Sequence, residues 1–269
     1  MSATLAQPAT PSLSEGLPKP ARVRAMIAVA MAVLLSAVDY TVVNIAMPSI
    51  AHDVHTSNSA AIWIVNAYQL ANLIALLPVA TLGERFGHAR MCVLGLLVFS
   101  AASLLCAMSQ TLPELALARA VQGVGAACIL GVNAALIRYI YPANLLGRGI
   151  ALNGLTIALG VALGPSLAAL VLSFASWKWL FLINLPLGAV AFYFAVTSLP
   201  RTPQSPVRLD LLSVMLLALG LSGIVMGGDN FAQGGGMAQG LGLILVGAVA
   251  MALLVRLQLT RCLLYTSPS

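Results

Sequence analysis

MIAVAMAVLLSAVDYTVVNIAMP, from Met26 to Pro48, is the stretch that decides the fold. About 20 apolar residues suffice to cross a bilayer, and this run has that length with a single charge, Asp39, deep inside it. A basic cluster (Lys19, Arg22, Arg24) precedes it, and residues 1–25, rich in Pro, Ser, Ala and Thr, read as a disordered cytoplasmic leader. A basic cluster before an apolar run also describes a signal peptide, but the length of the run and the further hydrophobic segments behind it favour an uncleaved first transmembrane helix.

Working outward, seven more apolar segments follow, near 60–82, 91–109, 113–136, 149–172, 179–199, 209–227 and 239–257. Short polar or Gly/Pro-containing breaks separate them, the last being glycine-rich (Gly227–Gly236) and carrying Asp229. Composition agrees. The chain is 60% hydrophobic and 7% charged, with a mean hydropathy of +0.99, whereas soluble domains run about 45–50% apolar and about 25% charged. So few charges cannot cover a water-facing surface, so most of the chain must meet lipid. The expected fold is an all-α polytopic membrane protein of eight helices, with both ends on one side.

Charge fixes the side. With the N-terminus inside, the inner segments hold Lys19, Arg22, Arg24, Arg85, Arg90, Arg138, Arg148, Arg201, Arg208, Arg256 and Arg261, which is 11 of the 13 basic residues. Lys178 lies outside and Arg119 within a helix. The positive-inside rule then sets a cytoplasmic N-terminus. Trp63, Trp177 and Trp179 fall near the outer boundary, where indoles settle.

Several function classes drop out. The basic residues form no clustered stripe of the kind nucleic acid needs. The four cysteines (Cys92, Cys106, Cys128, Cys262) stand apart with no CxxC or Cys/His ligand spacing, so they read as small apolar residues and no metal or cofactor is expected. Neither GxxxxGK[ST] nor HExxH occurs, which argues against an ATP-driven pump or a metalloprotease.

Function must then come from polar groups placed where lipid makes them costly. Asp39 and Arg119 would each cost about 2.5–3.5 kcal/mol at mid-membrane. Counted from Pro48 and Pro113 at 1.5 Å per residue, they lie roughly 13 and 9 Å below the outer edge. An acid and a base at similar depth on antiparallel helices can pair, either as a proton-coupling site or as a purely structural ion pair. On the fourth helix Arg119, Gln122 and Asn133 fall within about 60° of one another, a stripe that suits a cavity wall. On the fifth, Asn153, Thr156, Gly160 and Gly164 share a face, and Pro165 permits a bend. Asn66, Gln69 and Asn72 on the second helix read first as interhelical hydrogen bonds. The last two helices hold almost no polar groups and read as scaffold.

Six stretches together resemble the major facilitator superfamily, and within it the fourteen-helix drug/proton antiporters. They are VDYTVVNIAMP (Val38–Pro48); Trp63, Tyr68 and Pro78; TLGERFGHAR (Thr81–Arg90); RAVQGVGAA (Arg119–Ala127); GVALGPSLAAL (Gly160–Leu170); and WKWLFLINLPLG (Trp177–Gly188), with RLDLLS (Arg208–Ser213) resembling the start of the two extra helices. There are departures. Ala80 replaces a glycine, Glu84 an aspartate and His88-Ala89 a basic pair in the loop motif; Gly131 replaces a proline; Ala168-Ala169 replaces a glycine pair.

The resemblance implies a six-helix N-terminal transporter half over 26–200, two additional helices over 201–258, and a truncated, non-native tail over 259–269. The missing C-terminal half would be required for transport. It also implies roles: proton coupling by Asp39 and Arg119; a substrate path including Asn44, Gln122, Asn133 and Asn153; a cytoplasmic latch from Glu84, Arg85, Gly87 and Arg90; and an antiporter helix bending at Gly160, Gly164 and Pro165. The expected partners are the lipid bilayer, protons and small lipophilic or cationic substrates, and the expected location is the bacterial inner membrane. The expected activity is proton-driven drug export and no enzymatic reaction. Export of a metabolite or siderophore, or a non-transporting membrane fragment or subunit, are the rival readings.

Overall fold

The computed structural model describes residues 16–206, 210–232 and 236–265. Each expected apolar segment forms a helix: α1 (Lys19–Asp53), α2 (Asn58–Phe86), α3 (His88–Met108), α4 (Leu112–Ile140), α5 (Leu146–Leu172), α6 (Lys178–Leu182), α7 (Asn184–Ser198), α8 (Leu211–Ala232) and α9 (Met237–Tyr265). They make eight candidate membrane spans among the described residues, with α6 and α7 together forming the sixth.

Helix ends depart from the sequence reading in informative ways. α1 begins at Lys19, so residues 19–25, assigned to the leader, are helical; Pro20 sits in the first turn, where no backbone donor is needed. The helix also continues through Pro48 to Asp53, since one missing hydrogen bond near its end does not stop it. The break expected over Gly83–Arg90 shrinks to Gly87 alone, at φ 98°, a left-handed conformation that glycine adopts without steric cost. Pro186 has no N–H to offer Leu182, and the sixth span divides there into α6 and α7. Asp229, read as a loop residue, lies in the last turns of α8. Residues 259–265, read as tail, continue α9; residues 266–269, like most of the leader and Arg208, lie outside the described residues.

Packing follows from where small and apolar side chains fall. α4 lies between α2 and α3, while α1 rests on α5 and α7. α8 and α9 form a hairpin that leans on α2. The buried apolar residues divide into two clusters. One, including Val29, Leu96, Phe99 and Leu136, lies toward the end of the bundle that carries Arg85, Arg138 and Arg148. The other, including Ile50, Ile64, Leu115 and Phe181, lies toward the opposite end. Between them sits a polar layer. Outward-facing Leu94, Leu117 and Phe174 are exposed, as a lipid-facing surface requires.

Candidate functional site

The polar layer is built from one side chain after another at the level where the two apolar clusters meet. Asp39 on α1 and Arg119 on α4 are 3% and 1% exposed, and Arg119 Nη1 donates to Asp39 Oδ2 at 2.6 Å. Gln122, one turn further along α4, donates from Nε2 to Asp39 Oδ1 at 2.9 Å and accepts from Arg119 Nη1 at 2.5 Å. The acid and base expected to pair therefore do so, and Gln122 belongs to the same cluster.

Other elements complete it. Asn184, the first residue of α7, donates to Asp39 Oδ1 at 2.8 Å and to Ser103 Oγ at 3.3 Å. Ser103 on α3 accepts from Gln122 Nε2 at 2.8 Å and donates to the Phe99 carbonyl of its own helix. Cys106 donates a longer S–H bond to Gln122 Oε1. Arg119 Nε donates to the Ile64 carbonyl of α2, and its guanidinium carbon lies 4.1 Å from the Tyr68 ring centre and 5.8 Å from that of Phe181. Such ring contacts stabilise a desolvated cation by about 2 kcal/mol. Among the described residues Asp39 is the one buried carboxylate, and a buried ion pair persists only when its remaining donors and acceptors are satisfied in this way.

Sequence reasoning missed Ser103, Cys106 and Tyr68 as members of the cluster, and it assigned Asn184 no role. Asn184 did carry a signal, as the lone amide in WKWLFLINLPLG; Ser103 is one of several serines on an apolar helix, and nothing singles it out.

One side of the cluster borders open space. A cavity of about 210 Å³ between α1, α5 and the α6–α7 pair is lined by Asp39 and Asn184 together with apolar side chains such as Leu35, Leu163 and Leu180.

The other expected residues are placed elsewhere. Asn133 does not join Gln122 on a cavity wall. It pairs with Asn153 on α5 at 3.0 Å, and its own Oδ1 is buried without a partner. The eleven residues between Gln122 and Asn133 are about 16 Å of helix, too far for one site. Asn44 is exposed and bonded to the Tyr40 carbonyl of its own helix. Asn66, Gln69 and Asn72 make no side-chain hydrogen bond among the described residues, because the face of α2 that meets α4 carries Tyr68, Ala71 and Val79 instead.

Glu84, Arg85 and Arg90 are exposed at the α2–α3 turn and form no ion pair among the described residues, so no charge latch is seen among them. A backbone buckle takes its place. Thr202 Oγ1 accepts from the His88 amide at 2.8 Å, Gln204 Nε2 donates to the Phe86 carbonyl, and the Ser205 amide donates to the Glu84 carbonyl. Gly160 and Gly164 press α5 onto α1, where a Cβ on Gly164 would lie 1.8 Å from Thr41 Oγ1. Pro165 sits inside α5, which continues through it to Leu172.

Residues 29–254 match the model of the Major Facilitator Superfamily. The chain is 44% identical over 223 residues to the uncharacterized transporter YebQ of Escherichia coli (strain K12), covering 82% of this chain and 49% of that protein. It is 32% identical over 200 residues to the probable multidrug resistance protein EmrY of the same organism, covering 74% of this chain and 39% of that one. The chain thus spans about half the length, or less, of these relatives. The crystal structure of the human organic anion transporter MFSD10 superposes with a TM-score of 0.60 at 17% identity, covering 76% of this chain and 55% of that one, a likeness of fold. A family match that runs across most of the helical bundle, with its eight candidate membrane spans, leads to one assignment: this chain belongs to the major facilitator superfamily.

Proposed function

We propose that these residues form the N-terminal part of a proton-coupled exporter of lipophilic or cationic compounds, of the fourteen-helix antiporter type, in a bacterial inner membrane with the N-terminus cytoplasmic. The observation that carries this reading is the Asp39 carboxylate, buried mid-bundle and held by Arg119, Gln122 and Asn184 from two further helices. A carboxylate whose solvation and partners change between two states of a transporter takes up a proton in one and releases it in the other. A cationic substrate competes for the same charge, which gives exchange without further machinery. Similarity to a probable multidrug resistance protein supports the substrate class.

Arg119 and Gln122 would tune the carboxylate, while the Gly160–Gly164 contact would carry movement of α5 to α1. Asn133 and Asn153, paired across α4 and α5, remain candidates for substrate contact. The six further helices of the fourteen-helix type would supply the second wall of the path. The test is proton-driven efflux of a lipophilic cation, tetraphenylphosphonium, from vesicles holding the longest reading frame that contains these residues. Efflux indifferent to a collapsed pH gradient would refute the coupling.

A further inference from the structure

α1 and α5 touch closely at one level and part below it. Gly160 and Gly164 bring the α5 backbone onto Leu34, Ala37, Val38 and Thr41. Toward the basic end of the bundle no such pair of glycines continues the contact, and the helices separate around a cavity of about 510 Å³. That volume lies within the range of about 300–1,000 Å³ typical of small-molecule sites.

Its chemistry changes along its length. Apolar side chains, among them Ile27, Leu155 and Leu159, wall the part nearer the glycines. Lys19, Arg22 and Arg148 stand at the mouth, and among the described residues no carboxylate lines it. None of the three cations forms an ion pair among the described residues. Arg22 is held in place, with Nε and Nη2 donating to the Leu17 carbonyl at 3.1 and 2.9 Å and the guanidinium over the Tyr141 ring. Leu17 is itself tied to α4 through its amide and the Ile140 carbonyl. Nη1 of Arg22 makes no hydrogen bond among the described residues.

A crevice with three cations unpaired among the described residues and an aliphatic interior fits a molecule with an anionic head and an alkyl tail. We propose that it is a binding site for an anionic phospholipid, with the phosphate between Lys19, Arg22 and Arg148 and one acyl chain between α1 and α5. Basic pockets between transmembrane helices hold such head groups through charge, supplemented by burial of the chain. The site does not include Asp39, since no α1 residue beyond Ala30 lines it.

Native mass spectrometry of the 269-residue chain in detergent, titrated separately with phosphatidylglycerol and phosphatidylcholine, tests this. Phosphatidylglycerol should be retained about tenfold more tightly. Lys19→Gln and Arg148→Gln should each reduce that retention about fivefold, on the order of one surface charge, while Arg24→Gln, at an exposed cation outside the cavity, should leave it unchanged. Leu155→Trp keeps every charge and fills the crevice, and should also release the lipid; Leu155 is 55% exposed, so the fold tolerates the change, which circular dichroism verifies. Equal retention of the two lipids, or equal loss in Arg24→Gln, would overturn the site. Displacement of phosphatidylglycerol by millimolar inorganic phosphate would overturn the lipid assignment and leave a plain anion site.

Discussion

Asn184 donates a 2.8 Å hydrogen bond to Oδ1 of Asp39, the same oxygen that takes Nε2 of Gln122 at 2.9 Å. Both lone pairs of that oxygen are thereby used, and the other oxygen holds Arg119. The ion pair is therefore tied to α7 as well as to α4, and a shift of α7 reaches the carboxylate directly. Asn184→Leu, close to isosteric, removes both donors and leaves Asp39 short of a partner. The expected cost is about 1–3 kcal/mol, seen as a lower melting temperature in detergent. Under the proposed function, efflux assayed with the longest reading frame that contains these residues should show an altered pH profile, which mere loosening of packing would not produce.

The eight spans were legible because lipid demands long apolar runs, and the Asp39–Arg119 pair because two charges at matching depth in such runs have few other partners. Contacts between small residues were half legible. Gly160 and Gly164 were visible as a face, but whether that face bends or clamps depends on Thr41, 123 positions earlier. Ser103 and Cys106 were illegible for a simpler reason: either suits an apolar helix with its hydroxyl or thiol bonded to its own backbone. The buckle of Thr202 onto the α2–α3 turn joins residues 114 apart with no charge or periodicity to announce it.

That buckle predicts a paired result. Thr202→Ala leaves the buried His88 amide without its acceptor, and Thr202→Ser restores it. The first should destabilise by about 1–3 kcal/mol and the second by little. Gly87→Ala should cost of order 1–3 kcal/mol by a different route, since φ 98° strains any side chain. Thermal unfolding followed by circular dichroism measures all three.

The α5 crossing predicts a contrast within one helix. Gly164→Leu drives a side chain into Thr41 and the Val38 carbonyl, and overpacking of this kind costs about 1–3 kcal/mol or more. A Cβ on Gly154 would meet nothing within 4 Å, so Gly154→Leu should be close to neutral. Equal melting temperatures for the two variants would mean that α1 and α5 do not pack as described.

Orientation is checked with single cysteines in a background freed of Cys92, Cys106, Cys128 and Cys262. Positions 90 and 148 should be protected from an impermeant thiol reagent in intact cells, and positions 53 and 229 should react. Asp53 accepts from the Trp177 indole at 2.8 Å, which fixes these residues to one end of the bundle, so the pattern inverts as a whole or not at all. Labelling of position 148 from outside would reverse the proposed orientation.

Coupling and structure make different demands on Asp39, and charge neutralisation separates them. Asp39→Asn alone is ambiguous: it leaves Arg119 as a buried cation without its anion, and breaking one side of a buried pair costs about 3–5 kcal/mol. An amide also presents one donor to a site where Arg119, Gln122 and Asn184 all donate. The double variant Asp39→Asn with Arg119→Gln removes both charges, so its net cost is far smaller than the sum of the two singles. If the pair only fixes helix packing, the double variant recovers both stability and exchange. If Asp39 carries the proton, it recovers stability while proton-driven efflux stays lost, since no carboxylate remains in the cluster among the described residues. The second outcome is expected, measured as melting temperature and as pH-gradient-driven efflux in the longer protein. Recovery of efflux with an unchanged pH dependence would remove Asp39 from the coupling role and leave it a structural acid.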